Sequence, residues 1–244
     1  MISARSPFLP APHAPLQLSI VIPAYNEAER IGSLVRYLRA RGGDALADLI
    51  VVDGHSTDGT ADLARRAGAT VIHAKERGRA QQMNAGAAYA SGNVLYFVHA
   101  DTRPPQRFVT HIRDALADGM PMGCFRFAFD RPHPLLRINA YFTRFDRLMC
   151  RGGDQTLFVT RPLFEATGGY DPTYVIMEEY DWLRRARRMA PFAIMPDEAV
   201  VSARKYRKRS YLRVNLANLA VFGLFCCGTC PKRLRTVYSA LLGS

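Results

Sequence analysis

A chain of 244 residues with 48% hydrophobic content can bury one sizeable core, which excludes a mainly disordered protein. Its net charge of +12 asks for an anionic partner, and nucleic acid, a phosphorylated small molecule and an acidic membrane surface all meet that requirement. Five cysteines, Cys124, Cys150, Cys226, Cys227 and Cys230, lack the two C-x-x-C pairs of a tetrahedral zinc site and read as reduced thiols of a cytosolic protein.

Residues 1–16 carry Pro7, Pro10, Pro12 and Pro15, have no apolar stretch of the kind a secretory signal needs, and are expected to form a loose tail. Residues 18–22 form a β-branched run that stops at Pro23, and the spacing of Ile31, Leu34, Val35 and Leu38 then predicts a helix over 27–41. The unit repeats. A strand is expected at 49–52, Asp58 as a cap for a helix over 61–67, and Gly68 as its stop. A third strand at 70–73, a helix over 79–90 ending near Gly92 and a fourth strand at 94–98 follow. Strands alternating with helices predict an α/β fold with an open, mostly parallel sheet flanked by helices. Beyond residue 120 the pattern loosens, with a strand expected at 124–129, a helix over 135–149 and an uncharged run at 214–231.

Ligands in such sheets sit beyond the carboxyl ends of the strands, where Tyr25, Asn26, Glu27, Asp53, His99 and Asp101 fall. Asp53 opens a glycine-containing turn, where a carboxylate can bond a base or ribose. Turn and cap chemistry accounts for residues 58–60 but not for Asp53. Arg77 and Arg79 stand at a helix start, a poor place for cations unless an anion binds there, although solvated arginines on a basic protein are the competing view. Asp101, after His99 and Ala100, suits a hard cation that takes its other ligands from phosphate and water, or else caps the next helix. Glu178, Glu179 and Asp181 crowd another helix start. Their repulsion can raise one pKa toward that of a general base, while favourable charge placement alone also explains them.

In order along the chain, Ser19-Ile-Val-Ile-Pro-Ala-Tyr-Asn-Glu27, the Asp53 turn, Asn84-Ala-Gly86, His99-Ala-Asp101, Gly168-Gly-Tyr170 and Glu178-Glu-x-Asp181 resemble the family 2 glycosyltransferases of GT-A fold. The resemblance spans residues 18–205. It implies Pro23, Tyr25, Glu27 and Asp53 around the nucleoside, with Arg77, Gly78, Asn84 and His99 completing the nucleotide site, and Mn²⁺ or Mg²⁺ held by Asp101. His99 stands where the family's first metal aspartate is expected, so ligation is carried over to Asp101 alone. The resemblance further implies Glu179 as catalytic base, Glu178 as the second choice and Asp181 beside them. His-Ala-Asp is most similar to the bacterial radical-SAM/selenodomain-associated subgroup, a label that names no substrate.

The expected activity is inverting transfer of a sugar from a nucleoside-diphosphate sugar to an acceptor hydroxyl, by a Rossmann-like GT-A domain over 17–205 with a helical extension over 206–244. The acceptor is left open, a lipid-linked one included, and no nucleic acid is expected. A nucleotide-sugar-forming nucleotidyltransferase is the first alternative, but residues 23–30 lack its glycine-rich phosphate loop. A non-catalytic nucleotide- or nucleic-acid-binding protein is the second, and it leaves the three carboxylates without a task. The basic cluster Arg204, Lys205, Arg207, Lys208 and Arg209 precedes the uncharged run and suits an anionic membrane surface on the cytoplasmic side. Its asparagines and glycines favour a helix packed on the domain over a membrane span.

Overall fold

The computed structural model describes residues 6–11, 14–131, 133–152, 155–204, 206 and 210–243. Among these residues, eight strands form one sheet in the order β3-β2-β1-β4-β7-β6-β8-β5. The first half is the expected alternation: β1 Leu18–Ala24, α1 Ala28–Gly42, β2 Leu46–Asp53, α2 Thr60–Ala67, β3 Thr70–His73, α3 Arg79–Tyr89 and β4 Val94–Phe97. These four strands pair in parallel. In β1, Leu18, Ile20 and Ile22 join the core layer that includes α1, and Val21 joins the layer that includes α3. Burial on both faces is why β1 reads as continuous apolar sequence rather than as an alternation.

The second half comprises β5 Thr102–Arg103, α4 Phe108–Ala117, β6 Met122–Phe129, α5 Pro134–Phe142, β7 Leu157–Thr160, α6 Arg161–Ala166, α7 Glu178–Ala186 and β8 Phe192–Val201. Strand β7 is antiparallel to β4 and β6, while β6 and β8 are parallel. The short β5 lies antiparallel to the end of β8, with Thr102 opposite Val201. That pairing carries the chain after β8 back over the end of β4, the step that completes the site.

Three expectations change here. The helix expected over 135–149 stops at Phe142, because Arg151 Nη2 donates to the carbonyls of Thr143 and Phe145, which a continuing helix would use itself. The uncharged run is part of two helices, α8 Tyr211–Cys226 and α9 Pro231–Leu242. They are separated by a turn with Gly228 at φ 77° and restarted by proline at the first helical position. In the tail expected to be loose, Phe8 and Leu16 pack against the two core layers. Among the described residues all five cysteines are free, and no helix is long and apolar enough to cross a membrane.

Helices α8 and α9 meet over Val221, Phe225 and Leu234, which also cover Tyr174, Ile176, Met177 and Tyr180. The expected packing of the carboxyl-terminal helix on the domain is thus observed, and it falls on the residues that lead into α7.

Candidate active site

The carboxyl ends of β1 and β2 are tied together by Gln82 of α3, whose Nε2 donates to Ala24 O at 2.9 Å and Val52 O at 2.7 Å. A Cβ on Gly54 would stand 2.9 Å from that nitrogen, so the glycine lets the turn after Asp53 close over Gln82. Pro23 lies buried within β1, in register with Val52. Above the strand ends, Tyr25 is half exposed and Arg77 lies 5.2 Å from its ring centroid, a platform suited to stacking a planar base. Asp53 is buried. Its Oδ2 accepts from Ser56 N at 3.2 Å and faces His73 Nδ1 at 3.3 Å, while Oδ1 is buried with no hydrogen-bond partner among the described residues. An orphaned buried carboxylate oxygen at a strand end calls for a donor such as a ribose hydroxyl or a base N–H.

Asp58 serves two helices. It accepts from Thr60 N at the start of α2 and from Ala28 N at the start of α1, both at 3.1 Å. The formal cap residue is Gly59, at φ 83°. Asn84 is committed to structure. Its Nδ2 donates to Tyr170 O at 2.7 Å and its Oδ1 accepts from Tyr170 N at 2.9 Å, so both ends of the amide clamp the loop before α7. Gly78 caps α3 at φ 148°.

Across the cleft, α7 starts after Met177, which adopts φ 67°, an uncommon conformation for a side-chain-bearing residue. Met177 packs with the α8–α9 pair, so the carboxyl-terminal helices hold the turn that aims Glu178 and Glu179. Glu179 Oε1 lies 3.2 Å from His99 Nε2, a contact across 80 residues of chain. Glu178 is buried, with Arg79 Nε 2.9 Å from its Oε1. The contact is an ion pair, and neither carboxylate oxygen has a hydrogen-bond partner among the described residues. Burial pushes the Glu178 pKa up, Arg79 opposes this, and the neighbouring Glu179 adds to it. Three crowded acids were expected to cause the shift. Desolvation is instead the largest cause, and Asp181 is not among the causes. Asp181 pairs with Arg184 Nη2 at 3.1 Å and Arg185 Nε at 2.9 Å, and Arg185 also donates to the Thr167 and Gly169 carbonyls. The structure engages Asp181 in holding α7 to the preceding loop rather than grouping it with Glu179.

Asp101 lies just beyond β4 and does not cap the next helix, which begins at Phe108 after Arg107. Its Oδ2 stands 3.3 Å from Arg204 Nη2. The same guanidinium forms a two-pronged pair with Glu27, Nη1 to Oε2 at 2.8 Å and Nη2 to Oε1. These carboxylates raise the Arg204 pKa further, the Glu27 hydrogen bond most. Arg204 therefore joins the end of β1 to the end of β4, whereas the sequence placed it in a basic cluster suited to an anionic membrane surface. Of that cluster, Lys205, Arg207, Lys208 and Arg209 lie outside the described residues. Glu27 is oriented a second time at its backbone, where its N–H donates to Thr60 Oγ1 at 2.8 Å.

No group of three metal-capable side chains occurs among the described residues. Asp101 keeps 22% of its side chain open, and one accessible carboxylate fits a Mg²⁺ or Mn²⁺ ion whose remaining ligands are phosphate oxygens and water. Beside Glu179 is a cavity of about 20 Å³ lined also by Cys124, Arg151 and Gln155. Both polar atoms of the buried Gln155 side chain lack hydrogen-bond partners among the described residues, and the space suits one water or one hydroxyl group. Burial pushes the Cys124 thiol up to about 11, so it is not a nucleophile. Gln82 and Gln155 carry no local motif, and Arg204 was read only as part of a basic cluster, which is why the sequence did not assign them these roles.

With this geometry in place, comparisons with known proteins bear on its identity. Over 134 residues the chain is 32% identical to glycosyltransferase AglJ of Haloferax volcanii, covering 54% of this chain and 42% of that protein. It is 32% identical over 105 residues to glucosyl-3-phosphoglycerate synthase of Mycolicibacterium smegmatis, covering 40% and 35%. The matches thus span less than half the length of these curated relatives. A mannosyltransferase from Pyrobaculum calidifontis, solved with GDP-Man and Mn²⁺, superposes with a TM-score of 0.66 at 22% identity, covering 95% of this chain and 70% of that one. Glucosyl-3-phosphoglycerate synthase from Mycobacterium tuberculosis, solved with Mn²⁺, UDP and glucosyl-3-phosphoglycerate, gives a TM-score of 0.60 at 20% identity over 87% and 80%. Both show the GT-A glycosyltransferase fold. The model for glycosyl transferase family 2 matches residues 19–164, more than half of the sequence, and the chain belongs to that family.

Proposed function

We propose that this protein transfers a sugar from a nucleoside-diphosphate sugar to an acceptor hydroxyl with inversion at the anomeric carbon. The observation that carries this reading is the convergence of Asp101 with Arg204 and of Glu179 with His99 across one cleft, next to the orphaned Asp53 oxygen. Relatives solved with GDP-Man and Mn²⁺ or with UDP and Mn²⁺ support a nucleotide-sugar donor and a divalent cation here. Asp101 would hold that cation, which would supply stabilisation of the negative charge on the departing diphosphate.

The residues of the chain do the rest. Tyr25 and Arg77 bind the base, Asp53 accepts from the nucleoside, and Glu179 accepts the proton of the acceptor hydroxyl. The acceptor oxygen bonds to the anomeric carbon as the carbon–oxygen bond to the diphosphate breaks, its electron pair leaving with the nucleoside diphosphate. Attack from the opposite face inverts the configuration. His99, 3.2 Å from Glu179, orients the base, and Arg79 and Arg204 place positive charge near the leaving group. Glu178, buried and raised in pKa, holds Arg79 in place.

The His-Ala-Asp sequence supports placement in the bacterial radical-SAM/selenodomain-associated subgroup. We assign residues 17–205 to the transferase domain and 206–244 to its extension, at the cytoplasmic face of the membrane. A panel of nucleoside-diphosphate sugars tested with and without Mn²⁺ checks the donor reading through release of nucleoside diphosphate. We expect one or two donors to be turned over only with the cation. No release from any donor, with either water or lipid-linked acceptors, would contradict the reading.

A further inference from the structure

The positive charge of this protein has an address. Residues 131–151 and 202–243 hold fourteen of the 33 lysines and arginines but one of the 21 acids, Asp146. The rest of the chain is left with nineteen cations against twenty acids. The whole net charge of +12 is therefore a property of two segments, and these touch. Asn139 of α5 donates to Asn215 of α8 at 2.9 Å and accepts from Tyr211 at 2.8 Å.

The same two segments expose apolar side chains that water disfavours. On α5 and just after it, Ile138, Tyr141 and Phe142 are each 50% exposed and Phe145 is 42% exposed. Tyr141, Phe142 and Phe145 pack on one another with ring centroids 5.7–6.0 Å apart, and Arg144 lies over Tyr141 at 3.9 Å. On α8, Leu212, Leu216 and Leu219 are 57–64% exposed at i, i+4 and i+7, one stripe of the helix. That helix carries a single charge, Arg213, in sixteen residues. Its opposite side, through Val221 and Phe225, is spent on the turn into α7. A soluble surface helix normally sets charge opposite its buried face, and α8 sets leucine there.

From these two observations we propose that α5 and α8 form a docking face for an anionic lipid bilayer. The leucine stripe and aromatic cluster enter the headgroup boundary, and the exposed Arg137, Arg144 and Arg213 of the same segments pair with lipid phosphates. The charge accounting selects the occupant. An apolar patch that served a second copy of this chain would bring two arginine-rich segments together at short range, which costs free energy, whereas an acidic bilayer is complementary to both features. Helix α8 carries the docked face on one side and braces Met177 with the other, so docking would hold the turn into α7 about one helix diameter, roughly 10 Å, from the lipid. It follows that the acceptor is borne by the lipid surface. This corollary rests on the transferase reading, and the docking itself does not.

Co-sedimentation of the full chain with vesicles tests the docking in the absence of any donor. We expect binding to equimolar phosphatidylglycerol–phosphatidylcholine vesicles, weaker by about tenfold or more on phosphatidylcholine alone and falling with added salt. Leu216→Asp combined with Phe142→Asp should lower binding by about tenfold or more with the melting temperature kept. Arg137→Glu combined with Arg213→Glu should lower it on anionic vesicles only. Absence of wild-type binding, equal binding to both vesicle types, or no effect of either pair of substitutions would overturn the proposal. So would light scattering that shows a dimer which Leu216→Asp with Phe142→Asp breaks, since the face would then belong to a second copy. Failure of vesicle binding with intact donor turnover would remove the docking face and leave the transferase reading standing.

Discussion

Glu178 and Glu179 are neighbours with separate fates, because successive residues on a helix point about 100° apart. One enters the protein beside Arg79 and the other faces His99 across the cleft. Burial raises the Glu178 pKa above 4.5, so the folded protein keeps a proton that the unfolded chain gives up first. That contribution to stability is complete below the ordinary glutamate value and lost as pH rises through the raised one. Glu178→Gln is neutral at every pH. Its melting temperature relative to wild type should therefore climb as pH rises above the ordinary glutamate value of 4.5, a trend read by thermal melts in matched buffers. Arg204 gives a second residue-scale test. Its guanidinium is the positive charge beside Asp101, so Arg204→Met should lower the Mn²⁺ concentration needed for half-maximal thermal stabilisation by nucleotide, by about threefold or more. It should also reduce turnover by about tenfold to a hundredfold. Arg204→Lys should not restore turnover, because a point charge cannot reproduce the two-pronged pair with Glu27.

At the scale of elements, β1 to β4 and the helices between them were legible because each is announced locally, by an apolar run, a helical spacing or a glycine stop. The convergence of the site was not. Arg204 reaches Asp101 and Glu27 through the antiparallel pairing of β5 with β8, and a two-residue strand leaves no periodic signal. The early end of α5 depends on Arg151 reaching back to two carbonyls, a contact that no helix-forming tendency encodes. Asn84-Ala-Gly86 was legible as a motif but not in its role. Asn84 clamps Tyr170, and Gly86 lets α3 lie on the sheet, since a Cβ there would stand 2.3 Å from Val21 Cγ1 and 3.0 Å from Val52 Cγ2. Gly86→Ala should cost roughly 1–3 kcal/mol by overpacking, which for a chain of this size lowers the melting temperature by about 3–10 °C in calorimetry.

For the whole molecule, the groups proposed for donor, cation and acceptor meet only when the ends of β1, β2 and β4, the start of α7 and the segment after β8 are assembled. Ligands that need that assembly should stabilise all of it. A saturating nucleoside diphosphate with Mn²⁺ should raise the melting temperature by several degrees, corresponding to about 3 kcal/mol at a hundredfold excess over Kd. Asp101→Asn should remove the part of that shift that depends on Mn²⁺. The family was readable from the ordered motifs, whereas the address of the net charge needed the contact between α5 and α8 to make two distant segments one surface.

The most direct test of the proposed chemistry is a single-turnover measurement of nucleoside diphosphate release by Glu179→Gln, with nucleotide affinity measured on the same preparation. We expect release to fall by about a hundredfold or more while affinity stays within about threefold of wild type, since the proposed chemistry gives Glu179 to the acceptor and Asp53, Tyr25 and Arg77 to the nucleotide. Release at the wild-type rate would show that another group takes the proton and that the cleft between His99 and α7 is not where transfer occurs.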